Sequence, residues 1–300
     1  MMDVSIIIVN YNTTDLLLQC VSSIVSLTHG VSYEIIVVDN GSSEENLQPL
    51  RQDTRIILLE QKENLGFGRA NNKGAAAAKG RHLFLLNPDT ILVNDAISIL
   101  YRHLCDHEET GLCGGNIFDS EMTPIHSHDM LRPSILSELD TVLGHIYYKV
   151  VHGKNSWFNH TGKPMKVALI TGADMMIRRE AWDKVSGFDP SFFMYYEDSD
   201  LCVCIEEAGY DIINVPQAEI IHLEGKSFQE SRSRCERYFG GRQVYFHKHY
   251  STLYNRIADL LNISSLKAAC LLSSLLGKKE KKEKYQQRLE VYHQLINKAS

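Results

Sequence analysis

Cysteine is scarce and falls in no paired pattern. The seven residues, at 20, 105, 113, 202, 204, 235 and 270, are odd in number and contain no Cys-x-x-Cys. That excludes a disulfide framework and fits reduced thiols in a cytosolic compartment. Cys202 and Cys204 form a Cys-x-Cys, but no second ligand pair lies near enough in sequence to complete a zinc site. Proline is equally scarce, at seven residues, which leaves little room for proline-rich linkers. No window of about twenty residues is free of charge, so no transmembrane helix is expected. The apolar run Ile6–Val9 is short, follows Asp3 and lacks a basic leader, so it does not read as a secretion signal. Positive charge is in deficit: Lys plus Arg number 31 against 37 Asp plus Glu, a formal net charge of −6. A generic nucleic-acid binder needs the opposite balance. No internal repeat is visible. What remains is 300 residues with 44% hydrophobic and 23% charged content, an ordinary globular composition. Such a chain holds two domains, or one large α/β domain with an extension.

The first ninety residues alternate in period. Residues 4–9 form a short β-branched run, as expected of a strand buried on both faces. Thr13, Thr14 and Asp15 offer a helix start, and Leu16, Leu17, Cys20, Val21, Ile24 and Val25 recur at helical spacing. Further strands are expected at 34–38, 55–59 and 82–86, with an Ala-rich helix entered from 64 onwards. This alternation predicts a mostly parallel sheet, whose ligands sit beyond the carboxyl ends of its strands. Asn10, Asp39 and Asp89 all fall at such ends. The stretch from 111 to about 165 is less regular and reads as loops and short elements, with the features of a lid. After it, 167–170 and 212–215 read as strands, and 179–185 and 201–208 as helices. Beyond about 241, Leu253, Ile257, Leu260, Leu271 and Leu275 recur at helical steps, and a Lys cluster follows at 278–284. That pattern suits a helix in a membrane interface, held partly by anionic lipid, or a helix packed on the core or on a second subunit.

Several positions carry chemistry. Asp39, followed by Asn-Gly-Ser, can accept hydrogen bonds from a base or ribose, or simply close a turn. Asn64 to Asn72 is a glycine-containing helix entry able to present amides to an anion, with Arg69 available for a phosphate. Asn71 breaks the G-x-G-x-x-G fingerprint, and taken alone the segment reads as a plain loop capping a helix. Asp89 in Asn87-Pro88-Asp89 is an oxygen ligand suited to Mg²⁺ or Mn²⁺, or part of a structural turn. Glu197, Asp198 and Asp200 crowd three carboxylates together, which calls for a cation or a raised pKa. One of them can act as a general base, or all can serve as an acidic helix start. His222 follows two isoleucines at a probable strand end, as a metal ligand or as a half-buried, hydrogen-bonded ring.

Taken in order, the segments 4–12, 35–42, 64–72, 84–89, 171–179, 187–189, 196–201 and 222–227 are far more specific than any one of them. Their sequences include VSIIIVNYN, IIVVDNGS, NLGFGRANN, FLLNPD, TGADMMIRR, YEDSDL and HLEGKS. The set resembles the family 2 glycosyltransferases of GT-A fold, particularly their rhamnosyltransferase-like branch, over about residues 3–230. The resemblance implies an α/β fold with a mostly parallel central sheet over 1–240 and a helical, membrane-associating extension over 241–300. It implies that Asn10, Tyr11, Asn12 and Asp39 hold the nucleoside. Gly66 and Arg69 would lie beside the ribose and diphosphate, with Gly172 and Asp174 also in the nucleotide-sugar site. Asn87-Pro88-Asp89 stands where the family has Asp-x-Asp, so a neutral, weaker ligand replaces the first carboxylate. Asp89 and His222 would hold a divalent cation, Mg²⁺ or Mn²⁺, and Asp198, beside Glu197, would be the catalytic base.

The activity so implied is inverting transfer of a sugar, rhamnose among the candidates, from a dTDP- or UDP-sugar to an acceptor hydroxyl in surface-glycan synthesis. The acceptor would be a glycan or a lipid-linked glycan. Residues 253–284 would touch the membrane peripherally on its cytoplasmic face, and a homodimer contact would fit the apolar tail. The alternative is a noncatalytic nucleotide-sugar-binding or assembly protein, which Asn87 allows and Asp198 opposes. A Rossmann oxidoreductase is disfavoured by the missing third glycine and by the acidic cluster near 198.

Overall fold

The computed structural model describes residues 2–223 and 232–299. The first half runs β1 (Val4–Asn10), α1 (Thr14–Leu27), β2 (Tyr33–Asp39), α2 (Glu44–Gln52), β3 (Ile57–Glu60), α3 (Phe67–Ala77), β4 (His82–Leu86), β5 (Thr90–Leu92), α4 (Ala96–Asp106) and β6 (Thr110–Phe118). Then come β7 (His128–Asp129), α5 (Ile135–Val142), α6 (Ile146–Val151), β8 (Met165–Lys166), β9 (Leu169–Ile170), β10 (Asp174–Arg178), α7 (Arg179–Val185), α8 (Glu197–Glu207) and β11 (Asp211–His222). Three helices close the chain: α9 (Arg232–His249), α10 (Thr252–Leu275) and α11 (Lys279–Ala299).

The main sheet has the order β3-β2-β1-β4-β10-β6-β11-β5, with β8 on β11. β3, β2, β1 and β4 are parallel, as are β6 and β11; β10 and β5 are antiparallel insertions. The register sets Asn10 beside Asp39 and His222 beside Thr90, which brings the ligand-type residues to one edge. Both faces of the parallel half are covered. Ile6 and Ile8 pack with Leu17, Val21 and Ile24 of α1, and Ile7 packs on the other face with Val38 and Ala75. Full burial of each such side chain is worth about 1.5–3 kcal/mol, and two-sided burial explains why β1 reads as an unbroken apolar run.

The irregular middle is more ordered than its composition suggests. β6 is a nine-residue central strand despite Gly111, Gly114 and Gly115. A Cβ on Gly115 would stand 2.4 Å from the Ala218 carbonyl oxygen, and one on Gly111 2.5 Å from Tyr210 Cβ. These glycines therefore mark close neighbours, not a loop. The 167–170 strand forms only as β9, which pairs with β7 in a separate two-stranded sheet.

α9 runs unbroken through position 240, and α10 and α11 close on it around Phe239, Leu266, Val291 and Tyr292. By length and composition α10 is able to cross a bilayer, contrary to the expectation from charge spacing. It is also amphipathic: Asn255 and Ala258 are buried against the protein, while Leu253, Leu260 and Leu275 are exposed.

Candidate functional site

At the carboxyl ends of β1 and β2, Asn10 and Asp39 are fully buried. Asn10 Nδ2 donates to Asp39 Oδ1 at 2.8 Å, and the Ser42 amide donates to Asp39 Oδ2 at 2.9 Å. Asn12 adopts φ +56°, its amide donates to Ser42 Oγ at 2.9 Å, and its Oδ1 accepts from the Ser43 amide at 2.9 Å. Tyr11, between them, presents an exposed ring. Asn40 ties this corner to the next one: its Nδ2 donates to Asn64 Oδ1 and to the Gly66 carbonyl, and its Oδ1 accepts from the Leu65 amide. Gly66 begins α3 with φ +86°, and a Cβ there would meet the Phe193 carbonyl oxygen at 2.2 Å. That oxygen also accepts from the Phe67 amide at 3.0 Å, so part of the helix start is already satisfied by protein. Arg69 stands exposed one turn on.

Asn87 and Asp89 follow β4 and face the end of β11. His222 Nε2 stands 3.1 Å from Asp89 Oδ1 and 3.4 Å from Asn87 Nδ2. The Leu223 amide donates to the Asp89 carbonyl, and the Asn87 amide to the Ala173 carbonyl, so backbone bonds fix both partners. A carboxylate oxygen and an imidazole nitrogen at this separation, with an amide alongside, fit a divalent cation. Positions 224–227, which complete the His222 motif, lie outside the described residues.

The acidic pair opens α8. Tyr195 and Tyr196 both hold left-handed backbone, at φ +73° and +68°. Such conformations cost about 1–3 kcal/mol each and persist only under packing. Here a Cβ on Gly241 of α9 would lie 2.2 Å from the Tyr195 carbonyl oxygen, and Tyr196 packs between Tyr238 and Tyr245. The turn delivers Glu197 into the interior, 5% exposed, with Oε2 lacking a hydrogen-bond partner among the described residues. Burial, followed by the charge of Asp198, pushes the Glu197 carboxyl up to about 8. Burial also raises Asp198, but it accepts from the Ser199 amide at 2.7 Å and the Gly172 amide at 3.1 Å, which favour its charged form. The two amides favour the charged form on Asp198, and no such donor reaches Glu197 Oε2 among the described residues.

Asn87, Gly172, Glu197, Asp198 and His222 line one cleft of about 880 Å³. Reading the sequence did not single out Asp129, which lines it too and stands with one oxygen 3.1 Å from His126 Nε2. Burial opposes the charge of His126, but the hydrogen bond the ring donates to Asp129 and the Asp129 and Asp198 charges outweigh it and raise the ring's pKa. Its neighbours His126 and His128, two histidines close to an acid, are the sequence signal that points there. Asp200, the third acid of the cluster, serves elsewhere. Its oxygens hold Lys248 at 2.9 Å and His249 at 2.7 Å, clamping α8 to α9; Cys204 lies close enough to make a ligand group with Asp200 and His249.

Asp174 is the expectation the structure corrects. It is fully buried beneath the cleft, with Oδ2 accepting from the Gly115 amide at 2.5 Å and Oδ1 enclosed. Burial holds its carboxyl well above the ordinary range, so it is a neutral tie between β10 and β6 and not a ligand to a nucleotide sugar.

The outer wall comes from the last three helices. Arg242, 1% exposed, donates from Nε to Glu138 Oε1 at 2.9 Å and from Nη1 to Asp259 Oδ1 at 2.8 Å, and also bonds Tyr292 Oη. Its single network fastens α5, α9, α10 and α11 together.

The family model for glycosyl transferase family 2 matches residues 5–186. An N-acetylglucosaminyl-diphospho-decaprenol L-rhamnosyltransferase of Mycobacterium tuberculosis is 26% identical over 64% of this chain and 67% of its own. The rhamnosyltransferase WbbL of Escherichia coli is 27% identical over 63% of this chain and 82% of its own. The chain spans only 25% and 17% of the length of two further curated relatives, from Sinorhizobium fredii and Myxococcus xanthus. A mannosyltransferase from Pyrobaculum calidifontis, solved with GDP-Man and Mn²⁺, superposes with TM-score 0.59 at 15% identity over 98% of this chain and 84% of that one. The chain thus belongs to glycosyl transferase family 2, rhamnosyltransferases are among its relatives, and its fold is GT-A.

Proposed function

We propose that this glycosyltransferase inverts the anomeric centre, with Asp198 as the base. The observation that carries this reading is the setting of the acidic pair: Asp198 lines the cleft and accepts from the Gly172 and Ser199 amides, while the Oε2 of Glu197 has no partner among the described residues. Asp198 accepts the proton of an acceptor hydroxyl as that oxygen bonds to the anomeric carbon. The bond from that carbon to the nucleoside diphosphate breaks on the opposite face, and the electron pair leaves with the diphosphate. The Asn10–Asn12 turn and Asp39 bind the nucleoside, with Gly66 and Arg69 towards the diphosphate. Asp89 and His222, with Asn87 beside them, would hold a divalent cation, which would supply charge neutralisation for the diphosphate.

The donor is a dTDP- or UDP-sugar, with rhamnose favoured by the names of the relatives, and the acceptor is lipid-linked. Leu271, Leu272, Leu275 and Leu276 of the α10 end are 58–74% exposed, and five lysines against two glutamates follow at 278–284. Beside α10, Leu139, Leu143, Ile146 and Val150 of the α5–α6 region are exposed as well. Apolar faces beside a cationic cluster suit an anionic membrane surface, which puts the enzyme peripherally on the cytoplasmic face.

The test is a melting panel with dTDP, UDP, GDP and CDP, with and without Mn²⁺ or Mg²⁺, followed by transfer assays. One nucleotide should stabilise the wild type in a metal-dependent way, by about 2.7 kcal/mol at a hundred times its Kd, and Asp89→Ala should lose this. Asp198→Asn should stay folded and bind donor, yet transfer about 10²–10⁴-fold more slowly. Transfer at the wild-type rate would remove Asp198 from the role of base, and no response to any nucleotide would favour a noncatalytic protein.

A further inference from the structure

We infer that the wall built by α9, α10 and α11 is an anion subsite that takes the phosphate or diphosphate group of the acceptor. This deepens the transferase reading and rests on it. Arg242 offers five N–H donors. Nε and Nη1 are spent on Glu138, Asp259 and Tyr292, but Nη2 is buried and has no partner among the described residues. Arg242 lines the cleft. The buried Nδ2 of Asn262, on α10, lines the same wall and is likewise without a partner among the described residues. A buried donor left unmade is costly, and on a guanidinium more so. Two of them in one wall are donors awaiting an acceptor.

The rest of that wall has the same character. Arg288 brings a second guanidinium, with its carbon 5.4 Å from the Tyr238 ring centroid, and the phenol of Tyr285 and hydroxyl of Ser265 stand in the same lining. Two guanidiniums and a side-chain amide match the oxygens of a phosphate, which a planar donor fork binds well. Asp129, Glu197 and Asp198 line the same cleft, and Glu138 lines it beside Arg242. A hydroxyl to be deprotonated belongs beside Asp198, and an anion belongs beside the open donors of Arg242 and Asn262. A sugar carried on a phosphate satisfies both ends at once, and α10 turns exposed leucines outward beyond the wall for an apolar chain attached to that phosphate.

The experiment is calorimetric titration of the full chain in EDTA with inorganic pyrophosphate, farnesyl diphosphate and farnesol. Arg242 also holds the helices together, so the variants are Asn262→Asp and Arg288→Gln, each checked by melting, with Asp89→Ala as the donor-site control. Both diphosphates should bind and farnesol should not; Asn262→Asp and Arg288→Gln should each weaken binding by at least about tenfold, and Asp89→Ala should not change it. Tighter binding of farnesyl diphosphate than pyrophosphate identifies a lipid-borne anion as the ligand, and equal binding identifies a free phosphate. The subsite is overturned if wild type binds neither diphosphate, if both wall variants bind as wild type does, or if Asp89→Ala alone abolishes binding. Metal-dependent nucleotide binding is measured on the same variants. Its retention while anion binding is absent sinks the subsite alone, and its absence in wild type sinks the transferase reading.

Discussion

Glu197→Gln should make the protein more stable than wild type as the pH rises from about 6 to 7.5. The folded chain holds the Glu197 carboxyl nearly enclosed, with burial first and the neighbouring Asp198 charge second raising it from 4.5 to about 8. Unfolding releases that group to its ordinary value. Between those two values the folded state carries a proton that the unfolded state has lost. Its contribution is therefore complete below about pH 4.5 and declines as pH rises towards 8. The slope for one proton is about 1.4 kcal/mol per pH unit. Glutamine has the shape of the protonated acid and does not titrate. Subtracting the variant from wild type cancels the titrations of groups that do not interact with Glu197. The gap should widen by about 2 kcal/mol over that interval, or roughly 4 °C in Tm for a chain of this size. Thermal melts followed by circular dichroism at half-unit steps would measure it. A gap that stays constant across the interval would refute the assignment of the proton to Glu197. Asp198→Asn supplies the complement. With the neighbouring charge removed, Glu197 should titrate lower, and the decline should begin at a more acidic pH.

Substitutions at four further positions probe the frame around the cleft. Arg242→Ala strands the buried Glu138 carboxylate and frees Asp259 and Tyr292, so it should cost about 3–5 kcal/mol in urea unfolding, with Asp259→Asn well below that. Gly66→Ala forces a Cβ against the Phe193 oxygen at a left-handed φ, and should lose about 2 kcal/mol or more along with nucleotide binding. Asp174→Asn should stay within about 1 kcal/mol of wild type because the native carboxyl is already neutral, whereas Asp174→Ala, which leaves the Gly115 amide unpaired, should cost about 1–3 kcal/mol by thermal melting.

Some of this was written plainly in the residues. β4 spans His82–Leu86 and α7 spans Arg179–Val185, as periodicity predicts, because each has one burial pattern and clear turn chemistry at its ends. Strand-end logic also gathers Asn10, Asp39, Asn87 and His222 at one edge of the sheet. β6 was illegible because its three glycines answer to neighbours distant in sequence, such as Ala218 and Tyr210, which no local window contains. Asp174 misled for the opposite reason. The family resemblance put it in the nucleotide-sugar site, and only the enclosing strands reveal that it is a neutral, buried tie. Arg242 gave no signal at all, since Glu138, Asp259 and Tyr292 stand 104, 17 and 50 positions away.

The match to the family model stops at residue 186, but the cleft does not. Asp198, His222 and Arg242 all come later in the chain and line the same space as Asn87 and Gly172. The dependence runs deeper than lining. Asp198 is aimed by two successive left-handed tyrosines, and Gly241 of α9 is what lets the Tyr195 carbonyl sit where it does. α9 in turn is held by Arg242 to α10 and α11 through Asp259 and Tyr292. The strained turn is stable only because packing fixes it, so the helices that look like an appendage in sequence are a condition of the acidic pair's geometry. A chain cut at the apparent boundary near 240 would keep the strand ends and the Asp89–His222 pair. It would lose the wall that faces Asp198 and the contact that holds the turn beneath it.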